Sequence, residues 1–254
     1  MPDTSPIIEF DPAREALVNP DPPLPPADFP TRGVLCFFHE ILSVQESEGR
    51  LRRIASQTWE DGEHVWYAID HHGQRLAVAH PGLGAPLAGA VLEHTIAYGC
   101  RRIIACGGSG VLEGDLEVGQ IILPTSAVRD EGTSYHYLAP GVQAEPHPRA
   151  LQALRRTLES RSLPYRMGPT WTTDGLYRET PARIARRRAA GCLTVEMEAA
   201  AFFAIARYRG AELAQIVYAG DDVSGLKWDR RGWQLRSEVR SQLLMIALDA
   251  CLLL

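Results

Sequence analysis

The chain has 254 residues, 45% of them hydrophobic and 22% charged, with a formal net charge of −5. This length supports one α/β domain with a sizeable core. The acidic balance gives no electrostatic reason to expect nucleic acid or an anionic membrane as partner, and a small molecule is the default ligand. The five cysteines, at 36, 100, 106, 192 and 251, include no Cys-x-x-Cys pair and are odd in number. They read as packing thiols of a reduced, cytoplasmic protein. The start, MPDTSPIIEF, lacks the basic and apolar segments of a signal peptide. The longest apolar run, LLMIALDACLLL, is broken by Asp249 and falls short of the roughly 20 residues that span a bilayer.

Residues 1–30 carry half of the 18 prolines and read as an extended arm, either loosely ordered or docked through IIEF on a neighbouring surface. The domain then occupies 31–254. VLCFF, HVWYAID and RLAVAH are short β-branched or aromatic runs and predict strands. After HPGLGAP, the spacing of Leu87, Val91, Leu92 and Thr95 or Ile96 predicts a helix closed by Gly99, and RRIIAC predicts a buried strand. This is the grammar of a βαβ unit.

A strand at QIILP, a loop RDEGTSYHYLAPG and a helix HPRALQALRRTLESR follow. The alternation continues through YRMGPTWTT (strand), TPARIARRRAAG (helix), LTVEM (strand), EAAAFFAIARYRG (helix) and LAQIVYAG (strand), to a last helix from about Gly232.

Ligands of open α/β sheets collect beyond the carboxyl ends of strands, and three such ends carry polar or glycine residues. In IIACGGSG the glycines either make a turn or let backbone N–H groups and Ser109 approach an anion or sugar. In TVEMEAAAFF, Glu196 and Glu198 flank Met197 where a strand enters a helix. A carboxylate there either accepts from two vicinal ribose hydroxyls or supplies negative charge to the helix N-terminus. In IVYAGDDVSG two adjacent acids end a strand, where a carboxyl either acts as general acid or shapes a turn. His64, His71 and His72 show no helical i, i+4 metal spacing with an acid and read as surface histidines, and the arginines between 183 and 188 as a solvated helix or a lid.

GGSGVLEGDLEVGQIILPTSAVRDEGTSYHYLAP, followed by VEMEAAAFFAIA and then AGDD, resembles the nucleoside phosphorylase family of uridine phosphorylases, hexameric purine nucleoside phosphorylases and methylthioadenosine nucleosidases. The match runs from about Gly33 to Leu254, leaving out the arm. The resemblance implies a three-layer α/β/α sandwich with a mixed, partly barrel-like central sheet. It further implies a homodimer or higher homo-oligomer built from dimers, and cleavage of a nucleoside's N-glycosidic bond without metal or organic cofactor.

By the same resemblance Glu198 and Met197, with Ser109, hold the ribose, and Gly108 and Ser109 form the phosphate turn. Glu196, Leu176, Tyr177 and Arg178 lie by the base, and Asp222 is the acid that protonates a purine leaving group. Two phosphate arginines of the family are missing: Ala105 stands at one place and FFHEIL replaces the segment carrying the other. Arg50, Arg52 or Arg53 are substitutes to consider. The nucleosidase branch lacks these arginines too and activates water with a glutamate, near whose place Glu40 stands. Because GGSG through SYHYLAP looks most like phosphorylase members and Asp222 favours a purine, phosphorolysis of a purine nucleoside is expected, with hydrolysis through Glu40 or a non-catalytic nucleoside-binding protein as alternatives.

Overall fold

The computed structural model describes residues 5–20 and 28–254. Nine strands form one sheet in the order β2-β3-β4-β1-β5-β8-β7-β6-β9, and β9 pairs back onto β5. The strands are β1 (Arg32–Cys36), β2 (Leu51–Trp59), β3 (Gly62–His71), β4 (Gln74–Ala79), β5 (Arg102–Val111), β6 (Ile121–Asp130), β7 (Tyr165–Thr173), β8 (Thr194–Glu196) and β9 (Glu212–Asp222). The β5–β9 pairing closes β5, β8, β7, β6 and β9 into a five-stranded barrel, while β2, β3, β4 and β1 extend it as an open wing. Directions are mixed: β1 runs parallel to β4 and β5, and β5 is parallel to β9 but antiparallel to β8. The expected fold class is the observed one.

Parallel strands covered on both faces must be apolar on both. Accordingly Leu35, Ile103 and Ala105 pack under α2 (Ala85–Ala97) and α5 (Ala199–Arg209). Val34, Cys36, Ile104 and Cys106 pack under α1 (His39–Ser47), α3 (Pro148–Ser160) and α6 (Ser237–Leu252). All five cysteines are buried free thiols. Gly99, at φ +103, follows the C-cap of α2 and ends it as its spacing predicts.

Two elements escape the sequence pattern. α1 buries only Ile41 and Leu42, too few for a periodic stripe, and the edge strand β2 is mostly exposed. The last helix starts at Ser237 and not near Gly232, because Gly232 is left-handed and Trp233–Leu235 form a separate 3-10 turn. β6 also runs on to Asp130, into the segment expected to be loop.

The proline-rich arm falls partly outside the described residues, at 1–4 and 21–27. Within 5–20 it lies against the domain: Tyr208 Oη donates to Ala13 O at 2.6 Å, Arg14 Nη1 donates to Tyr208 O at 3.0 Å, and Ile7 packs 3.5 Å from the Cβ position of Gly132. Among the described residues no helix is long and apolar enough to cross a membrane.

Candidate active site

The carboxyl ends of β5 and β9 and the short antiparallel strand β8 meet on one side of the barrel. The antiparallel register Gly110↔Val195 sets Gly108–Ser109 alongside Glu196–Glu198, and the parallel register Gly108↔Tyr218 brings up the end of β9. The β4–α2 loop closes over the junction, where Gly84 N–H donates to Glu198 Oε1 at 2.6 Å. Gly84 has φ +86, so the loop needs glycine to present that N–H.

Glu196 and Glu198 are both buried, yet their surroundings differ. Glu196 Oε2 accepts from the backbone N–H of Glu198 and Ala199 at 2.8 and 2.6 Å, and Oε1 accepts from Thr172 Oγ1 at 2.5 Å. It satisfies donors in the first turn of α5, and its capacity is spent inside the protein. The base-side place expected of Glu196 is therefore replaced by a capping role. Replacing it with alanine leaves two buried N–H groups unpaired, a loss of roughly 2–4 kcal/mol. A Glu196→Ala variant should melt on the order of 10 °C lower, and a melting temperature within a couple of degrees of the parent would refute the cap.

Glu198 keeps most of the roughly four acceptor sites of a carboxylate open. Burial, and next the charge of Glu196, push its carboxyl well above the ordinary range. Burial raises Glu196 too, but Thr172 and the N–H groups of Ala199 and Glu198 oppose the rise. With three donors stabilising Glu196 as an anion, the proton of the empty pair resides on Glu198. Met197 between them is half-buried.

The two acids ending β9 point apart. Asp222 is tied into the following loop: Oδ1 accepts from Ser224 N–H at 2.7 Å, and Oδ2 lies 4.0 Å from Arg231 Nη1. Asp221 Oδ1 lies 3.7 Å from the Cβ position of Gly110, and Oδ2 accepts from Trp228 Nε1 at 2.5 Å. Its charge also reaches Glu179, whose carboxyl burial and then Asp221 push up to about 7. Asp222, expected as the acid, is thus held by the loop that follows it, and Asp221 is the one that lies against Gly110 of β5. Ser109 is buried and its hydroxyl donates to Tyr218 O at 3.1 Å.

Leu176, Tyr177 and Arg178 form a 3-10 turn between β7 and α4 (Pro181–Ala189), with Tyr177 89% exposed. The arginines of α4 pair inward instead: Arg183 and Arg187 share Asp130, which also accepts from Trp171 Nε1. His136 is exposed at the end of the Thr133–His136 turn.

None of the three arginines considered as substitutes for the missing phosphate cations is free of an acidic partner. Ala105 is fully buried under α2 and α5. Arg50, Arg52 and Arg53 pair with Glu48, Asp70, Glu46 and Glu63 on and around the exposed β2–β3 hairpin. Glu40 is held by a cation, since Arg240 Nη1 donates to its Oε1, while the rest of its side chain stays 49% exposed. Sequence reasoning missed His80 as well, at the end of β4. Its Nδ1 accepts from Gly82 N–H at 3.1 Å, and burial, chiefly, lowers its pKa, keeping the ring neutral beside Phe37. His71 and His72 converge on Asp249 at the β3–β4 turn, away from His64, but Arg161 already neutralises that carboxylate.

The barrel with its wing is an architecture seen in solved nucleoside-processing enzymes. The purine nucleoside phosphorylase of Toxoplasma gondii, solved with immucillin-H, superposes with a TM-score of 0.75 at 19% identity over 88% of this chain and 90% of that one. The AMP nucleosidase of Bacteroides thetaiotaomicron gives 0.71 at 21% identity over 89% and 88%. At these identities the likeness is one of fold.

The Phosphorylase superfamily model matches residues 41–244, and the chain belongs to that superfamily and is an enzyme. A guanosine phosphorylase of Halorubrum lacusprofundi is 32% identical over 185 residues, covering 70% of this chain and 76% of that protein. A DeoD-type purine nucleoside phosphorylase of Bacillus cereus is 25% identical over 190 residues, covering 72% and 77%.

Proposed function

We propose that the enzyme cleaves the N-glycosidic bond of a purine ribonucleoside by phosphorolysis, giving free base and ribose 1-phosphate. The observation that carries this reading is Glu198: a buried carboxylate with open acceptor sites, fixed by Gly84 beside the Gly108 end of β5. Two vicinal hydroxyls are the donors that such a group accepts, and ribose supplies them. Met197 offers the sugar an apolar, adaptable face.

As the bond breaks, the sugar gains oxocarbenium character and the base gains negative charge. Ionised Glu198 favours the first, and a proton delivered from Asp221 discharges the second. The Halorubrum relative, a guanosine phosphorylase, supports both a purine base and phosphate.

Hydrolysis is favoured by one specific observation, the buried alanine at 105 in place of a cation. Chromatography of base and sugar products from a nucleoside panel, with and without phosphate, separates the two. Ribose 1-phosphate formed from guanosine or inosine only when phosphate is present is the expected result. Free ribose at the same rate without phosphate would refute phosphorolysis.

A further inference from the structure

The β1–α1 segment lacks the cation that a phosphorolytic site requires, yet the structure brings a buried one to the same place from the far end of the chain. Arg240, on the second turn of α6, is 8% exposed. Its Nε donates to Tyr218 Oη at 3.1 Å and its Nη1 donates to Glu40 Oε1. The guanidinium lies between aromatic rings, 5.5 Å from the centroid of Phe38 and 5.3 Å from that of Trp233.

The Tyr218 ring joins this group to Gly108 of β5, where the glycines expected to form a turn are extended strand. A Cβ at Gly108 would stand 3.2 Å from Tyr218 Cε1 and 3.5 Å from its hydroxyl. The hydroxyl donates to Trp233 O at 3.0 Å while accepting from Arg240, which fixes the direction in which the guanidinium points. The partners of Arg240 are unequal. Tyr218 and the two rings are parts of the wall, whereas the Glu40 side chain is 49% exposed on the first turn of α1. An exposed carboxylate on a buried arginine is a counter-ion that an incoming anion can replace, because a planar guanidinium binds tetrahedral oxyanions with the same fork geometry.

We infer that Arg240 is the phosphate-binding cation of this enzyme, reached by displacing Glu40, so that α6 replaces the arginines missing from β1 and β5. This rests on the proposed function for the choice of anion. Inorganic phosphate takes the place of the Glu40 carboxylate on Nη1, beside Gly108 of β5, and Glu40 swings to solvent. The empty site is thereby kept neutral, and a buried arginine is never left without an anion.

Two readouts test this, the Michaelis constant for phosphate against that for the nucleoside, and calorimetric titration of the protein with inorganic phosphate alone. Glu40→Gln removes the competing charge from a partly exposed position and should tighten phosphate several-fold, moving the phosphate constant more than the nucleoside constant. Arg240→Gln should weaken phosphate at least about tenfold, the weight of one charge-assisted hydrogen bond, with Arg240→Lys in between.

If Arg240→Gln fails to fold, Glu40→Gln still decides, since phosphate affinity equal to or weaker than the parent's overturns the displacement. If products show phosphate-independent free ribose, phosphorolysis is refuted and calorimetry judges the anion site separately. Saturable phosphate binding strengthened by Glu40→Gln supports the site, and no binding, or equal binding in parent and variant, overturns it.

Discussion

Glu198→Gln should lower kcat/KM for a ribonucleoside by about two to four orders of magnitude, because two hydrogen bonds to a charged acceptor are lost at roughly 1.5–3 kcal/mol each. The side chain keeps its volume and one acceptor for Gly84 N–H, so the loop stays closed. A 2′,3′-dideoxynucleoside, which has neither vicinal hydroxyl to offer, should be handled equally by parent and variant. Equal losses on both substrates would sink the ribose clamp.

The same carboxyl links activity and stability to pH in opposite directions. Hydroxyl donors prefer the anion, so ribonucleoside affinity should rise as pH climbs from the ordinary carboxylate value of 4.5 through the raised value of Glu198. For the unliganded fold the sign reverses. A carboxyl raised by folding contributes stability that is full below 4.5 and is lost as pH rises through its folded value. The empty protein should therefore melt lower at pH 8 than at pH 5, and Glu198→Gln should remove part of that difference. Thermal melts of parent and variant at both pH values check this, and an identical pH dependence would deny the burial of an ionisable group at 198.

The sequence makes the framework legible where local rules act alone. YRMGPTWTT coincides with β7, and Gly99 ends α2 as its spacing predicts, because a strand in a sheet and a left-handed cap each follow from residues close in the chain. The carboxylates of TVEMEAAAFF stand out for a similar reason, since charge inside an apolar run requires an explanation. Their division of labour does not stand out: that Glu196 caps α5 while Glu198 stays open depends on Thr172 from β7 and Gly84 from the β4–α2 loop.

Arg240 illustrates the limit more sharply. It belongs to a helix whose pattern reads as ordinary packing, and its meaning comes from Glu40, 200 residues earlier, and from the ring of Tyr218. α1 is missed because two buried residues in nine leave no periodicity to detect. The general acid shows how one position of error arises. Gly-Asp-Asp offers two equal candidates, and only the register shift between Ser109 and Val111 sets Asp221 against Gly110 of β5.

That register shift yields the second large effect. Asp221→Asn removes the proton donor proposed for the departing base while keeping an acceptor for Trp228, and kcat for guanosine or inosine should fall about 10²–10⁴-fold. A purine nucleoside methylated at N7 carries its positive charge already and leaves without a proton from the enzyme. It should therefore be cleaved by Asp221→Asn at close to the parental rate, so the ratio of the two rates isolates proton donation from damage to the fold.

Asp222→Asn should behave otherwise. Asp222 holds Ser224 N–H and faces Arg231, whose guanidinium also donates to Gly220 O and Leu116 O and so pins the loop to the barrel. Loosening that loop affects both substrates together and leaves their ratio near the parental one. If Asp222→Asn is the variant that spares the methylated substrate, the acid is Asp222 and the loop must reorganise before catalysis. If neither spares it, base departure is not driven by either carboxyl, and Glu179, held near neutrality by burial and by Asp221, becomes the group to replace next.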